Sequence, residues 1–338
     1  MFTSSEMRAL RLSFASPGVT WGLSVLVITA LCGSLWGCGG ATASTADRPV
    51  LSTTPFLMVL GVAQDAGYPQ AGCNRAHCER GWANRDEERA PASLGAVDPI
   101  ERQALLFDAT PALPRQWRRL QTAVPAPLPE LSGVFLTHAH IGHYTGLMYF
   151  GREAMGARDV PVYAMPRMQT FLLNNGPWSQ LVALQNIRLR PLAANHAVHI
   201  GRLAVVPFVV PHRDEFSETV GYRISGPNRS ALFIPDIDKW SRWDVDLASA
   251  VRGADYAFID ATFFDSDELP GRNMADIPHP LVVETMFELK PLTRAERERV
   301  YFIHMNHTNP LLDPSSPQSA SVTARGFRIA HEGLRVPL

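Results

Sequence analysis

The stretch Leu136–Tyr144 reads LTHAHIGHY. An apolar segment, GVFLT (Gly133–Thr137), runs straight into it and delivers His138, His140 and His143 one after another. The same arrangement recurs further along the chain. His212 follows FVVP, Asp236 follows ALFIP, Asp260 follows AFI and His304 follows VYFI. Each of these apolar runs is short and rich in β-branched and aromatic residues, so each reads as a strand. A catalytic metal needs neutral imidazoles and carboxylates in a fixed array, with one position left for water. Strand ends along one sheet edge supply such an array. One histidine after one strand is ordinary; this recurrence beside a His-x-His pair points to a metal centre.

Further strands are expected at FLMVLGVAQD (Phe56–Asp65), ALLFDAT (Ala104–Thr110), VPVYAM, NIRLRPL, RLAVVPFVV, TVGYRIS and FRIAHEG. Helices are expected at Trp243–Val251 and Leu281–Leu289, and the spacing of Leu147, Phe150 and Met155 suggests another after His143. Many strands with fewer intervening helices predict a layered α/β sandwich. Asp65 and Asp108 end strands on the expected side and are candidate supporting carboxylates, with a turn or capping role as the competing reading. Asp238 is a spare carboxylate or a helix cap before KWSRW. Glu284 reads as a solvated helix face, and His196 and His199 as loop residues. Residues 80–101 and 174–186 are expected to shape a cleft.

The 338 residues carry a formal net charge of -1, which excludes a polybasic nucleic-acid binder, because phosphate recognition needs a concentrated positive field. A small-molecule substrate is the expected partner. A hydrophobic content of 46% with 27 prolines fits a loop-rich globular enzyme. The N-terminus differs from the rest. Arg8 and Arg11 precede the apolar run VTWGLSVLVITALCGSLW, and GCGGATAST follows it. A basic head, an apolar core and small residues make an export signal over residues 1–38. Leu35-Trp36-Gly37-Cys38 resembles the bacterial lipoprotein box, which implies lipidation at Cys38 and a flexible tether over 39–54. The domain is then expected outside the cytoplasm, on the periplasmic side or at the outer membrane, touching the membrane through the lipid anchor alone. A cleaved signal or an uncleaved inner-membrane anchor are the alternatives. Of four cysteines, only Cys73 and Cys78 fall in the domain, as a disulfide or a metal clip.

The ordered set His138, His140, His143, His212, Asp236 and His304 resembles the metallo-β-lactamase superfamily. Its pattern is His-x-His-x-Asp-His after a strand, then a lone histidine, a bridging aspartate and a late histidine. The resemblance implies an αββα sandwich over residues 55–338. Within the superfamily, LGVAQDAGYPQAGC (Leu60–Cys73) and IHMNHTNPLLDPSSP (Ile303–Pro317) resemble the pyrroloquinoline-quinone biosynthesis protein B group, and the phosphodiesterase PhnP group is a relative. The latter implies a structural zinc. Cys73, Cys78 and His307 match its ligands, Arg75 replaces a cysteine, and His77 is the candidate substitute. Without that zinc, His307 is expected to orient His304.

The resemblance implies a first metal at His138, His140, His212 and Asp236, and a second at His143, Asp236 and His304. Gly142 stands where the pattern has an aspartate, so the expectation is one firm zinc and one weak one, with Gly142→Asp restoring the second. Iron or manganese are alternatives to zinc. Asp236 and His279 are the expected catalytic residues, His279 as general acid. The function implied is an exported hydrolase in which a metal-activated water attacks a phosphodiester, ester or lactone. The alternatives are an iron-dependent oxidoreductase or hydroxylase, and a non-catalytic metal- or ligand-binding lipoprotein.

Overall fold

A computed structural model describes residues 53–338, except 125–127 and 129–130. The export signal and most of the tether lie outside the described residues. Among the described residues no helix is long and apolar enough to cross a membrane.

Among the described residues fourteen strands are formed: β1 (Phe56–Gly61), β2 (Ser93–Asp98), β3 (Gln103–Phe107), β4 (Gly133–Phe135), β5 (Val160–Ala164), β6 (Ile187–Pro191), β7 (Val198–Ile200), β8 (Leu203–Val209), β9 (Val220–Ser225), β10 (Ser230–Ile234), β11 (Tyr256–Asp260), β12 (Val300–Ile303), β13 (Arg328–Ile329) and β14 (Arg335–Pro337). They make two seven-stranded sheets, ordered β14-β1-β2-β3-β4-β5-β6 and β13-β12-β11-β10-β9-β8-β7. Both sheets are mixed. In the first, β3 to β6 run parallel; in the second, β10 to β13 do. Helices cover the outer faces, giving the expected αββα sandwich.

The continuous apolar runs follow from burial on both faces of a sheet. Along β1, Leu57 and Val59 enter the core between the sheets, while Met58 and Leu60 enter the layer beneath the outer helices. In β3, Leu105 and Phe107 alternate with Ala104 and Leu106 in the same way. The outer helix Leu113–Thr122 buries Leu113, Gln116, Trp117 and Leu120, one stripe at helical spacing. Between the sheets, Phe135 stacks on Tyr163 at 4.4 Å and on Phe107 at 5.4 Å. Tyr222 donates its hydroxyl hydrogen to the Leu136 carbonyl, tying the second sheet to the backbone just before the histidines.

The pairings fix where loops emerge. β1 and β3 both run antiparallel to β2, and β4 is parallel to β3, so β1, β3 and β4 point the same way. By the same logic β8, β10, β11 and β12 share a direction. The candidate residues follow the carboxyl ends of these strands, where open α/β sheets bind their ligands.

Three local expectations change. Around His143 the chain makes one helical turn, Ile141–Tyr144, and then a 3-10 segment, Thr145–Phe150. A Cβ on Gly146 would lie 2.1 Å from the Thr110 carbonyl oxygen, so backbone packing shapes this segment more than side-chain spacing. Residues 80–101 hold β2, an interior strand of the first sheet, where Gly95 leaves room for Leu120. Residues 174–186 hold a short helix, Trp178–Ala183, packed on Tyr144 through Trp178.

Candidate metal centre

The loops after β4, β8, β10 and β12 bring His138, His140, His143, His212, Asp236 and His304 together. His138, His140 and His212 offer ligand atoms within 4.8 Å of one another, and so do His138, His143 and Asp236. Asp236 is central. Its Oδ2 lies 2.9 Å from His143 Nε2, 3.1 Å from His304 Nε2 and 3.9 Å from His138 Nε2, and its Oδ1 lies 3.8 Å from His212 Nε2. Two ligands ~2.0–2.1 Å from a tetrahedral zinc sit roughly 3.3 Å apart. The observed separations bracket that value.

The partner of each ring nitrogen decides which nitrogen is bare. His143 donates Nδ1–H to Asp108 Oδ2 at 2.7 Å. The Thr137 hydroxyl donates to Asp108 Oδ2 at 3.0 Å, so it accepts from His138 Nδ1 at 2.9 Å. The Thr262 hydroxyl donates to Asp260 Oδ1 at 2.7 Å and accepts from His304 Nδ1 at 3.0 Å. These partners assign Nε2 as the bare atom of His138 and His304 and direct His143 Nε2 the same way. His140 is turned round, with Nε2 3.0 Å from Glu215 and Nδ1 2.8 Å from His138 Nε2. His143 Nε2, His304 Nε2, Asp236 Oδ2 and both nitrogens of His212 are buried without a hydrogen-bond partner. Buried polar atoms are rarely left so. Their convergence fits a bound cation.

Electrostatics favours the same reading, since ligation needs neutral imidazole and ionised carboxylate. Burial holds His138 well below its ordinary pKa, lowers His212 to about 4 and lowers His304. Burial pushes the Asp236 carboxyl up, but its interactions with the facing His304 and His143 rings outweigh that and hold Asp236 well below the usual carboxylate range. His143 is the exception. Burial opposes its charge, yet Asp108 and Asp236 raise it well above the ordinary value. His304 has φ 67°, a left-handed conformation that is uncommon for residues other than glycine.

Asp108 is the buried support of His143. Asp65 places its carboxylate within 4.8 Å of ligand atoms of His143 and His304. The Cβ that Gly142→Asp needs would lie 2.3 Å from Asp65 Cα, so the expected rescue of the second site has no room. Asp238 pairs with Arg242 at 2.6 Å and accepts from Lys239 N–H, a turn role. Glu284 pairs with Lys239 at 2.9 Å. Among the described residues His196 and His199 join none of the ligand-compatible groups.

His279 is buried on the cleft wall. It donates Nδ1–H to Asp260 at 2.7 Å, and Nδ1 also lies 3.7 Å from Asp236 Oδ1. With His212 and Asp236 it forms a further ligand-compatible group. A cavity of about 570 Å³ opens beside it, lined by Asp65, Arg213, Arg272 and Asn306 among others. Sequence reasoning missed Glu215, Thr137 and Thr262, which touch the histidines, and the two cleft arginines. No motif marks them, because hydroxyl and carboxylate partners reach the rings through loop geometry.

A second cluster joins Cys73, His77, Cys78 and His307 within the same 4.8 Å limit. Both cysteines are free thiols. Cys73 Sγ lies 3.6 Å from His77 Nε2, against roughly 3.6 Å for sulfur and nitrogen on one tetrahedral zinc. His307 Nδ1 meets Asn306 Oδ1 at 3.0 Å, and His304 takes Thr262 as its partner, not His307. Burial, reinforced by Cys73, raises the Cys78 thiol to about 11, a protonated state that a cation would reverse.

The sandwich and this clustered edge define a class, the metallo-β-lactamase fold. A family model described as a beta-lactamase superfamily domain matches residues 103–305, and the chain belongs to that superfamily. Within it, the chain is similar to the coenzyme PQQ synthesis protein B of Xanthomonas campestris pv. campestris, 27% identical over 310 residues that cover 83% of this chain and 99% of the relative. Two solved structures share the fold. The Zn²⁺-bound PqqB from Methylobacterium extorquens has a TM-score of 0.70 at 24% identity and covers 84% of this chain and 100% of its own. A diphosphatase from the PhnP family has a TM-score of 0.60 at 22% identity, covering 84% and 97%.

Proposed function

We propose that the chain is an exported metal-dependent hydrolase acting on a phosphodiester or a related anionic ester. The observation that carries this reading is the convergence of partnerless buried nitrogens on Asp236. His138, His140, His212 and Asp236 would hold the first cation. A bound dication brings the pKa of a water toward ~7 and polarises the scissile bond. The protein's own groups do the rest. Glu215 and the Thr137 hydroxyl hold His140 and His138 in register. Arg213 and Arg272 line the cleft beside His279, together with Asp65 and Asp276, and the two arginines support an anionic substrate over a neutral ester or lactone. Burial opposes a charge on His279, but Asp260, which holds it through Nδ1, raises it above its ordinary value, so the imidazolium would carry a second proton on Nε2 to give to the leaving oxygen. Export rests on the sequence pattern of residues 1–45.

A second reading is favoured by the near full-length match to proteins named for coenzyme PQQ synthesis. In it, iron takes the same ligands and the chemistry is oxidative. One set of measurements separates the readings. Elemental analysis of the purified chain, followed by turnover of bis(p-nitrophenyl) phosphate with zinc or manganese, is expected to show metal-dependent hydrolysis that the His279→Ala variant loses while keeping its metal. Iron as the resident metal, with oxygen consumption and no hydrolysis, would refute the hydrolase.

A further inference from the structure

Between His140 and His143 the chain offers Ile141 and Gly142, neither of which bears a carboxylate. The structure brings one from elsewhere. Asp65 Oδ1 lies 3.4 Å from His143 Nε2, and Asp65, His143 and His304 place their ligand atoms within 4.8 Å of one another. The loop that carries Asp65 leaves β1 and is stitched to the strand-end loop of His304. Gln64 N–H donates to the Met305 carbonyl at 2.8 Å, and Met305 N–H donates to the Val62 carbonyl at 2.8 Å. Gly67 N–H closes a turn on Gln64 at 2.8 Å, with Asp65 inside it at φ 29°. That backbone conformation is sparsely populated by side-chain-bearing residues, and here tertiary hydrogen bonds enforce it.

Gly142 is the other half of the arrangement. A Cβ there would lie 2.3 Å from Asp65 Cα, 2.6 Å from Asp65 Oδ1 and 2.9 Å from its carbonyl oxygen. Position 142 and the Asp65 loop therefore compete for one volume. A side chain at 142 excludes the loop as it stands, and glycine admits it.

We infer that Asp65 is a ligand of a second divalent cation, held together with His143, His304 and the shared Asp236. Two nitrogens and two carboxylates then face that cation, which suits zinc or manganese. The negative charge that is missing between the histidines is supplied from the loop after β1. The inference rests on the metal reading of the cluster. It also gives the Cys73/His77/Cys78/His307 group a purpose, because a cation there would clamp the far end of the same loop onto the segment that carries His304.

The test is a zinc titration of the chelator-stripped chain by calorimetry, with zinc counted by elemental mass spectrometry. The parent, Asp65→Asn, Asp65→Glu and His140→Ala are compared after thermal melts show them folded. Asp65→Asn is expected to bind one zinc fewer, or to bind its second active-site zinc at least 10-fold more weakly. His140→Ala should lose a different binding step. Asp65→Glu, which keeps a carboxylate on a longer stem, should recover part of the deficit. Equal counts and affinities in Asp65→Asn and the parent overturn the assignment and leave the metal reading standing. A parent that binds zinc only at its cysteine cluster overturns both. If Asp65→Asn does not fold, Asp65→Glu alone carries the comparison through its altered second-site affinity, and an unaltered value there overturns the assignment.

Discussion

Asp108→Asn tests the idea that a buried carboxylate sets the chemistry of His143. Asp108 lies at φ 68°, which asparagine tolerates, and the two side chains have nearly the same shape, so the variant should fold. Asp108 accepts three hydrogen bonds: Oδ1 from Thr137 N–H at 2.8 Å, and Oδ2 from the Thr137 hydroxyl at 3.0 Å and His143 Nδ1 at 2.7 Å. An asparagine keeps its oxygen on Thr137 N–H and turns an NH₂ toward the other two. His143 can then only accept at Nδ1, which moves its proton to Nε2 and points it into the cation site. The charge that steadied the ring is lost as well. Removing such a partner of a ligating histidine lowers metal affinity ~10–100-fold, equivalent to about 1.4–2.7 kcal/mol. The effect should fall first on the cation step that involves His143 and more weakly on the His138/His140/His212 step, because the Thr137 hydroxyl that orients His138 loses its acceptor on Asp108. Zinc calorimetry on the stripped variant measures both. An affinity within threefold of the parent at both steps would show that the Asp108–His143 contact is structural, and the tautomer argument would fail.

Four other outcomes are expected. His140→Ala removes a first-site ligand that meets His138 through Nδ1, so the first cation and hydrolysis of bis(p-nitrophenyl) phosphate should both disappear; retained turnover sinks the mechanism. Cys73→Ser should lower the zinc count by one per chain and reduce the melting temperature, and an unchanged count would mean the cluster binds no metal. Gly142→Ala should destabilise the fold by about 3 kcal/mol or more in urea titrations, through overpacking against Asp65, and a neutral result would contradict the close approach. Glu268 is pushed up by burial to about 7, although Phe264 N–H and the Thr308 hydroxyl favour its ionised form. The folded state holds that proton more tightly than the unfolded one, so stability should fall as pH rises from about 4.5 to 7, by at most roughly 3 kcal/mol. In Glu268→Gln that slope should flatten; an identical pH profile refutes the attribution.

The fold was legible because its strands announce themselves. Runs such as FLMVLG and ALLF are apolar at every position, which only a sheet buried on both faces requires. β2 escaped notice for the opposite reason. Its sequence, SLGAVD, is small and mixed, and it becomes an interior strand because Gly95 lets Leu120 pack against it. The segment after His143 was misread as a longer helix. Leu147 and Phe150 do sit at helical spacing, but Gly146 is pressed against the Ala109–Thr110 backbone and the turn tightens.

The site was legible in part, and the boundary has a physical cause. His138, His140, His212, Asp236 and His304 each sit at or just beyond a strand's carboxyl end, so their order along the chain reveals their shared edge. Asp65 lies four residues past β1 inside a turn, and nothing in its neighbours says which way its carboxylate points. Gly142 offers no carboxylate, but that holds for its own position alone. A metal site responds to the charge in a volume, not at a sequence position, and the volume vacated by a side chain at 142 is filled by Asp65 at 2.3–2.9 Å from where a Cβ would stand. A glycine in a histidine motif is therefore as consistent with a relocated ligand as with a deleted one. Distinguishing the two requires knowing which loop packs on the glycine, information that lies seventy-seven positions away in the chain.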